Sequence, residues 1–145
     1  LKYRGDTCGL DVIRYLWEQQ TCPLPDLDLI LPVPLHRSRI RERGYNQSLL
    51  IARELFPLQN GIIRPNILQK CHNTVPQASL SKKERQKNLV NSFTVRSPEL
   101  VRNKIVCLVD DVITTGATMY ECAKELKKTG AYMVVCIAVA RTPLS

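Results

Sequence analysis

Apolar residues are spaced in two ways along this chain, and the alternation between them lays out the fold. Residues 105–109, Ile-Val-Cys-Leu-Val, are an unbroken apolar run of strand length and β-branched character, which predicts a strand buried on both faces, as in a parallel sheet. The run stops at Asp110 and Asp111, so both acids are expected exposed, where the strand leaves the sheet. Beyond them Met119, Cys122, Ala123 and Leu126 recur at helical spacing, and Gly130 is placed to end that helix. Residues 132–140 are again almost wholly apolar and predict a last strand buried on two faces. Nearer the start, Leu10, Ile13 and Trp17, with Val12 and Leu16 beside them, predict a helix, which the Pro23 and Pro25 region breaks. Residues 27–33 predict the first core strand; it must end near Pro32 and Pro34, because proline removes ladder donors. A helix is predicted over 45–56 with Tyr45, Leu49, Ala52 and Phe56 on one stripe and Pro57 as its stop, followed by a short strand around 66–69.

Strands alternating with helices in this way predict an α/β fold: a mainly parallel sheet flanked by helices, with its ligand crevice at the carboxyl ends of the strands. A chain of 145 residues that is 44% hydrophobic has material for one core, so residues 1–145 are read as a single domain. No stretch approaches the ~18 to 20 apolar residues of a membrane span, and no signal peptide precedes the fold, so a soluble, cytoplasmic protein is expected. The six cysteines include no C-x-x-C pair; Cys107, Cys122 and Cys136 fall in patterns that read as buried, so reduced core thiols and no zinc are expected. A net charge of +8 favours a polyanionic ligand, whether a pyrophosphorylated sugar, nucleic acid or an anionic membrane surface, without choosing among them.

The junction after 105–109 narrows that choice. Thr114, Thr115, Gly116, Ala117 and Thr118 lie just before a helix, where free backbone N–H groups, the positive end of the dipole and three hydroxyls suit a phosphate. Asp110 and Asp111 do not suit one. Vicinal hydroxyls, or Mg²⁺ reached through water, are the natural partners of two carboxylates there, and the ligand inferred is a sugar phosphate. There is no Gly-Lys-Ser/Thr of a P-loop and no Gly-x-Gly-x-x-Gly of a dinucleotide fold.

A second anion site is expected directly after the first core strand. Leu35 and His36 are followed by arginines at alternate positions, Arg37, Arg39, Arg41 and Arg43, in what reads as a basic loop. Arginine forks bind phosphate oxygens bidentately, and if strand 27–33 lies beside strand 105–109 this loop borders the same crevice. His36 reads as a hydrogen-bonding or phosphate-contacting residue, with proton carrier as the other option. Residues 71–90 are the least core-like stretch, polar and basic, with Ser81 and Glu84 spaced as a capping box; such an excursion is a lid, a binding loop or a disordered segment.

The apolar run, acid pair and Thr-Thr-Gly-x-Thr in register resemble the phosphoribosyl-pyrophosphate (PRPP) signature of type I phosphoribosyltransferases. Lys2-Tyr-Arg-Gly, Pro32-Val-Pro-Leu-His, Arg43-Gly-Tyr-Asn-Gln, Thr74-Val-Pro-Gln and Leu80-Ser-x-x-Glu-Arg-x-x-Asn extend the likeness over nearly the whole chain, which resembles the ComF family, also called the GntX or amidophosphoribosyltransferase-like family. The resemblance implies that Asp110 and Asp111 contact the ribose, that residues 114–118 hold the 5′-phosphate, and that Leu35, His36, Arg37, Arg39 and Arg43 meet the pyrophosphate with Mg²⁺. It implies a mobile loop closing over the crevice, carrying Thr74, Gln77, Lys82 and Arg85. It also implies a role in natural transformation, with single-stranded DNA and the competence machinery as partners. Family members usually carry a cysteine-rich zinc ribbon ahead of Lys2, and this sequence holds none. Two functions follow. One is transfer or release of a phosphoribosyl group with loss of pyrophosphate to an unknown acceptor; the other is a non-catalytic, PRPP- or nucleotide-responsive protein that binds single-stranded DNA. A homodimer is compatible with both.

Overall fold

A computed structural model describes residues 7–71 and 89–142. The loop residues Thr74, Gln77, Lys82 and Arg85, and the Ser81/Glu84 capping box, lie outside the described residues. In chain order the elements are α1 (Thr7–Glu18), β1 (Leu29–Pro32), α2 (Arg37–Arg43), α3 (Gln47–Leu55), a 3₁₀ turn (Pro57–Ile62), β2 (Leu68–Lys70), β3 (Phe93–Val95), α4 (Pro98–Val101), β4 (Ile105–Ile113), α5 (Ala117–Thr129) and β5 (Met133–Arg141).

Three strands form a parallel sheet in the order β1-β4-β5, so the first core strand does lie beside the central one. The ladder sets Pro32 opposite Val109, and one further bond runs from the Val33 N–H to the Val109 carbonyl at 2.8 Å. At the other end the Asp28 carboxylate accepts the Ile105 N–H at 2.7 Å, fixing the register where the ladder begins. β2 and β3 pair antiparallel as a separate ribbon, so the short strand predicted near 66–69 exists but is not part of the parallel sheet.

Side-chain alternation along β1 and β4 divides the interior in two. Leu29, Leu31, Val106 and Leu108 pack with Met119, Cys122 and Leu126 of α5 and with Leu68 and Phe93 of the ribbon. Ile30, Cys107 and Val109 turn the other way, against Ile51, Ala52 and Leu55 of α3, with Leu10, Ile13 and Trp17 of α1 behind them. Arg14 of α1 forms an ion pair with Glu54 of α3, and the Trp17 and Phe56 rings meet edge to face at 5.5 Å.

Several expectations need correcting. β4 does not end at the acids: it runs to Ile113, because β5 is long enough to keep pairing after β1 has stopped, with Asp110 opposite Ala138 and Ile113 opposite Arg141. β5 is not buried on two faces; it is an edge strand with no fully buried residue, half-buried at Val134, Val135, Ile137 and Ala138 and exposed elsewhere, Cys136 included. Cys107 and Cys122 are buried as expected, and burial pushes the Cys107 thiol up to about 12. α3 starts at Gln47, with Asn46 as its cap, so Tyr45 lies ahead of it; its buried residues are Ser48, Ile51, Ala52 and Leu55, and Leu49 packs half-buried at the edge of the same cluster. Gly130 closes α5 at φ 107°, a left-handed conformation that glycine adopts without steric cost. No helix among the described residues is long and apolar enough to cross a membrane.

Candidate functional site

The crevice forms where β1 ends and β4 continues. Strand alternation makes neighbouring side chains diverge, so Asp110 continues the face of Val106 and Leu108 while Asp111 continues that of Cys107 and Val109. The acids are half-buried, not exposed as expected. Asp110 Oδ1 accepts from Ser48 Oγ at 2.9 Å and from the Asp111 N–H at 2.9 Å, and Asp111 Oδ1 accepts the Val112 N–H at 2.8 Å. Burial pushes the Asp110 carboxyl up to about 6, against the two hydrogen bonds that favour its charged form, with the Asp111 charge adding to the rise.

Ser48 and Asn46 were missed by sequence reasoning, and both hold this corner together. Asn46 caps α3 by accepting the Ser48 N–H at 3.0 Å, and its amide donates to the Val33 carbonyl at 3.0 Å, just past the end of β1. Ser48 is 4% exposed, a buried hydroxyl spent on Asp110. An asparagine ahead of a helical pattern is a readable cap signal. Nothing in the sequence marks Ser48, whose partner lies 62 positions away.

After β4 the chain turns through Thr114 and Thr115, both exposed, to Gly116 at φ 78°. This left-handed residue is the N-cap of α5, and Thr115 Oγ1 accepts the Ala117 N–H at 3.3 Å. The next amides, of Thr118 and Met119, begin a helix of 13 residues and have no intrahelical acceptor. Residues 114–118 thus form a turn and helix start directly after β4 ends at Ile113.

The arginine segment is not a loop. It is α2, capped by His36, whose Nδ1 accepts the Ser38 N–H at 3.3 Å and lies 2.9 Å from Ser38 Oγ, and closed by Gly44 at φ 84°. Alternate positions share a side in an extended chain but are about 200° apart on a helix. Arg37 and Arg41 therefore share one face and Arg39 and Arg43 another, so the four do not converge on one ligand. Arg43 donates to Gln47 Oε1 at 3.2 Å. Leu35, His36 and Arg37 remain at the carboxyl end of β1, beside the crevice.

Two hard carboxylates on consecutive residues have the donor chemistry that a hydrated Mg²⁺ shared with a ligand would need, and no cluster of three or more metal-binding side chains occurs among the described residues.

Comparison with known proteins identifies the domain. Residues 44–144 match the family described as Phosphoribosyl transferase domain. The chain is 38% identical over 115 residues to Competence protein F of Haemophilus influenzae, covering 79% of this chain and 50% of that protein. It is 33% identical over 131 residues to DNA utilization protein YhgH of Escherichia coli K12, covering 90% and 57%. The chain spans about half the length of the curated relatives it matches. A solved structure titled as the allosteric regulatory enzyme of purine biosynthesis aligns with a TM-score of 0.52 at 18% identity, over 90% of this chain and 25% of that one, a likeness of fold. The chain belongs to the phosphoribosyl transferase domain family, type I in fold. Within it, the relatives it resembles carry the names of competence and DNA-utilization proteins, Competence protein ComFC of Bacillus subtilis among them at 30% identity over 89% of this chain and 51% of that protein.

Proposed function

We propose that the crevice binds PRPP with Mg²⁺ and that the protein transfers or releases its phosphoribosyl group with loss of pyrophosphate, in the handling of incoming DNA. The observation that carries this reading is the sequence of groups around the end of β4: a carboxylate held by Ser48, a second carboxylate on the opposite face, and an open helix start four residues on. Asp110 and Asp111 orient the ribose hydroxyls, and residues 114–118 hold the 5′-phosphate. Leu35, His36 and Arg37 meet the pyrophosphate, and Mg²⁺ when bound offsets its negative charge. In the reaction the bond from C1 of the ribose to the pyrophosphate oxygen breaks and its electron pair leaves with pyrophosphate. A lone pair of an acceptor, or of water, forms the new bond to C1, and the acceptor's proton passes to solvent. The Asp110 carboxyl, raised to about 6, is ionised at pH 7 and binds hydroxyls as an acceptor.

A second reading, single-stranded DNA binding, rests on α2. Arg41 is exposed on a helix whose arginines face two directions, a geometry better suited to a polyanion passing over the surface than to one small ligand. Pyrophosphate release from PRPP and Mg²⁺, with and without oligonucleotide, tests the first reading. Release by the parent above the protein-free rate, reduced at least ~100-fold in Asp111→Asn, is expected. Release that never exceeds background, with PRPP still bound, would leave the protein as a PRPP-responsive DNA binder.

A further inference from the structure

Away from the acid pair, a cavity of about 490 Å³ opens between α2, α3 and β2. α3 builds it with the side it turns from the sheet: Leu49, Leu50 and Arg53 line the cavity, while Ser48, Ile51, Ala52 and Leu55 face the core. Leu35, Ile40 and Leu68 supply further apolar wall, and Arg37, Arg53 and Lys70 supply positive charge. Among the described residues no aspartate or glutamate lines it, and none of the three cations is in an ion pair.

Lys70 is the sharpest of these features. It is half-buried, and its ammonium stands 5.7 Å from the centre of the Phe93 ring. Burial pushes its pKa down, Cys122 acts in the opposite direction, and the Arg39 charge adds a smaller downward push. Desolvating a cation among other cations is costly, and an anion is what offsets that cost. The walls exclude a bare ion as the best occupant, because Leu35, Ile40, Leu49, Leu50 and Leu68 give them a substantial apolar part and the volume lies within the roughly 300–1,000 Å³ of small-molecule sites.

We infer that this cavity is a second ligand site, adjoining the acid crevice and sharing Leu35 and Arg37 with its pyrophosphate side, that takes a small molecule with a largely apolar body and one phosphate or carboxylate. Arg53 and Lys70 hold the anion, neither of which the PRPP reading uses, and the leucines clasp the apolar body. The site adjoins the crevice through the first turn of α3: Asn46 lines the cavity, and Ser48, two residues on, donates to Asp110.

Calorimetric titration of the chain with phenyl phosphate and with indole-3-carboxylate, neither of which carries a ribose, separates the two anions; phenol, indole and inorganic phosphate serve as half-ligands. At least one of the two whole probes is expected to bind more tightly than either half. Its affinity should fall roughly ten-fold or more in Arg53→Ala/Lys70→Met, recover in Lys70→Arg alone, and stay unchanged in Asp111→Asn. PRPP affinity is expected to be the same in parent and Arg53→Ala/Lys70→Met, so failure of the cavity and failure of the PRPP site are read independently. The inference is overturned if neither whole probe binds, if an uncharged half or phosphate alone binds as well, or if the loss follows Asp111→Asn instead. Loss of PRPP affinity in a correctly melting Arg53→Ala/Lys70→Met protein also overturns it, because the cations would then serve the crevice.

Discussion

β1 and β5 flank the same central strand with the same kind of sequence, and they have different fates. All four residues of β1 are buried, and Ile30 and Leu31 are 0% exposed. Its faces meet α3 and α5, and its outer edge is bridged at Ile30 by Ile63. β5 pairs with β4 over more residues but has no strand on its outer side among the described residues, and Met133 and Val139 remain exposed. An apolar groove of about 390 Å³ lies between it and α1, lined by Trp17, Leu24 and Ile137 among others and by no charged side chain. The difference bears on function. Asp110 is anchored on the β1 side, through Ser48 and the Asn46 cap that reaches Val33, and β5 contributes the ladder along which β4 continues through the acids. A site that must hold reacting atoms within fractions of an ångström is set where packing is complete.

Truncating one isoleucine in each flank tests this most strongly. Ile30→Ala removes a side chain with no exposure from between two packed faces and is expected to cost about 2–5 kcal/mol in denaturant unfolding. Ile137→Ala, on half-buried β5, is expected to cost less than about half as much. Equal losses would mean that β5 is covered in solution and that the two flanks do not differ.

A smaller effect distinguishes the acids. Free aspartate titrates near 4, and Asp110 in the fold near 6, so the native state becomes relatively less stable as pH rises from about 4 to 6, and the cost is full above that. Asp110→Asn, which keeps an oxygen for Ser48, is therefore expected to raise stability at pH 7 by on the order of 1 kcal/mol, after allowing for the solvent that reaches the group. The gain should disappear at pH 4. Melts of both proteins across that range check it, and a variant less stable than the parent at pH 7 would show that the Ser48 bond outweighs desolvation.

The parts of this molecule that were legible in the sequence are those whose causes are local. Proline ended β1, glycine at 130 ended α5, and the apolar run at 105–109 marked the central strand, because each depends on backbone sterics or on burial common to both faces. The acid pair and the small-residue turn were found for the same reason, being contiguous. What escaped depends on distant partners. Whether 132–140 is central or edge is decided by what lies beyond it, and β4 extends past the acids only because β5 offers it a ladder. The arginines read as a loop because alternate charges carry no apolar stripe, and the stripe is what signals a helix. The Ser48 cap on Asp110 joins residues far apart in sequence, so its only signature is three-dimensional.

The central claim is that the end of β4 holds a sugar phosphate through both acids. It is tested most directly by calorimetric titration of PRPP with Mg²⁺ into the parent and into Asp110→Asn/Asp111→Asn, each shown by melting to be folded. Binding by the parent and a loss of at least ~100-fold in the variant are predicted, since two charge-assisted contacts are removed at once. Equal affinity in the two proteins would contradict the account.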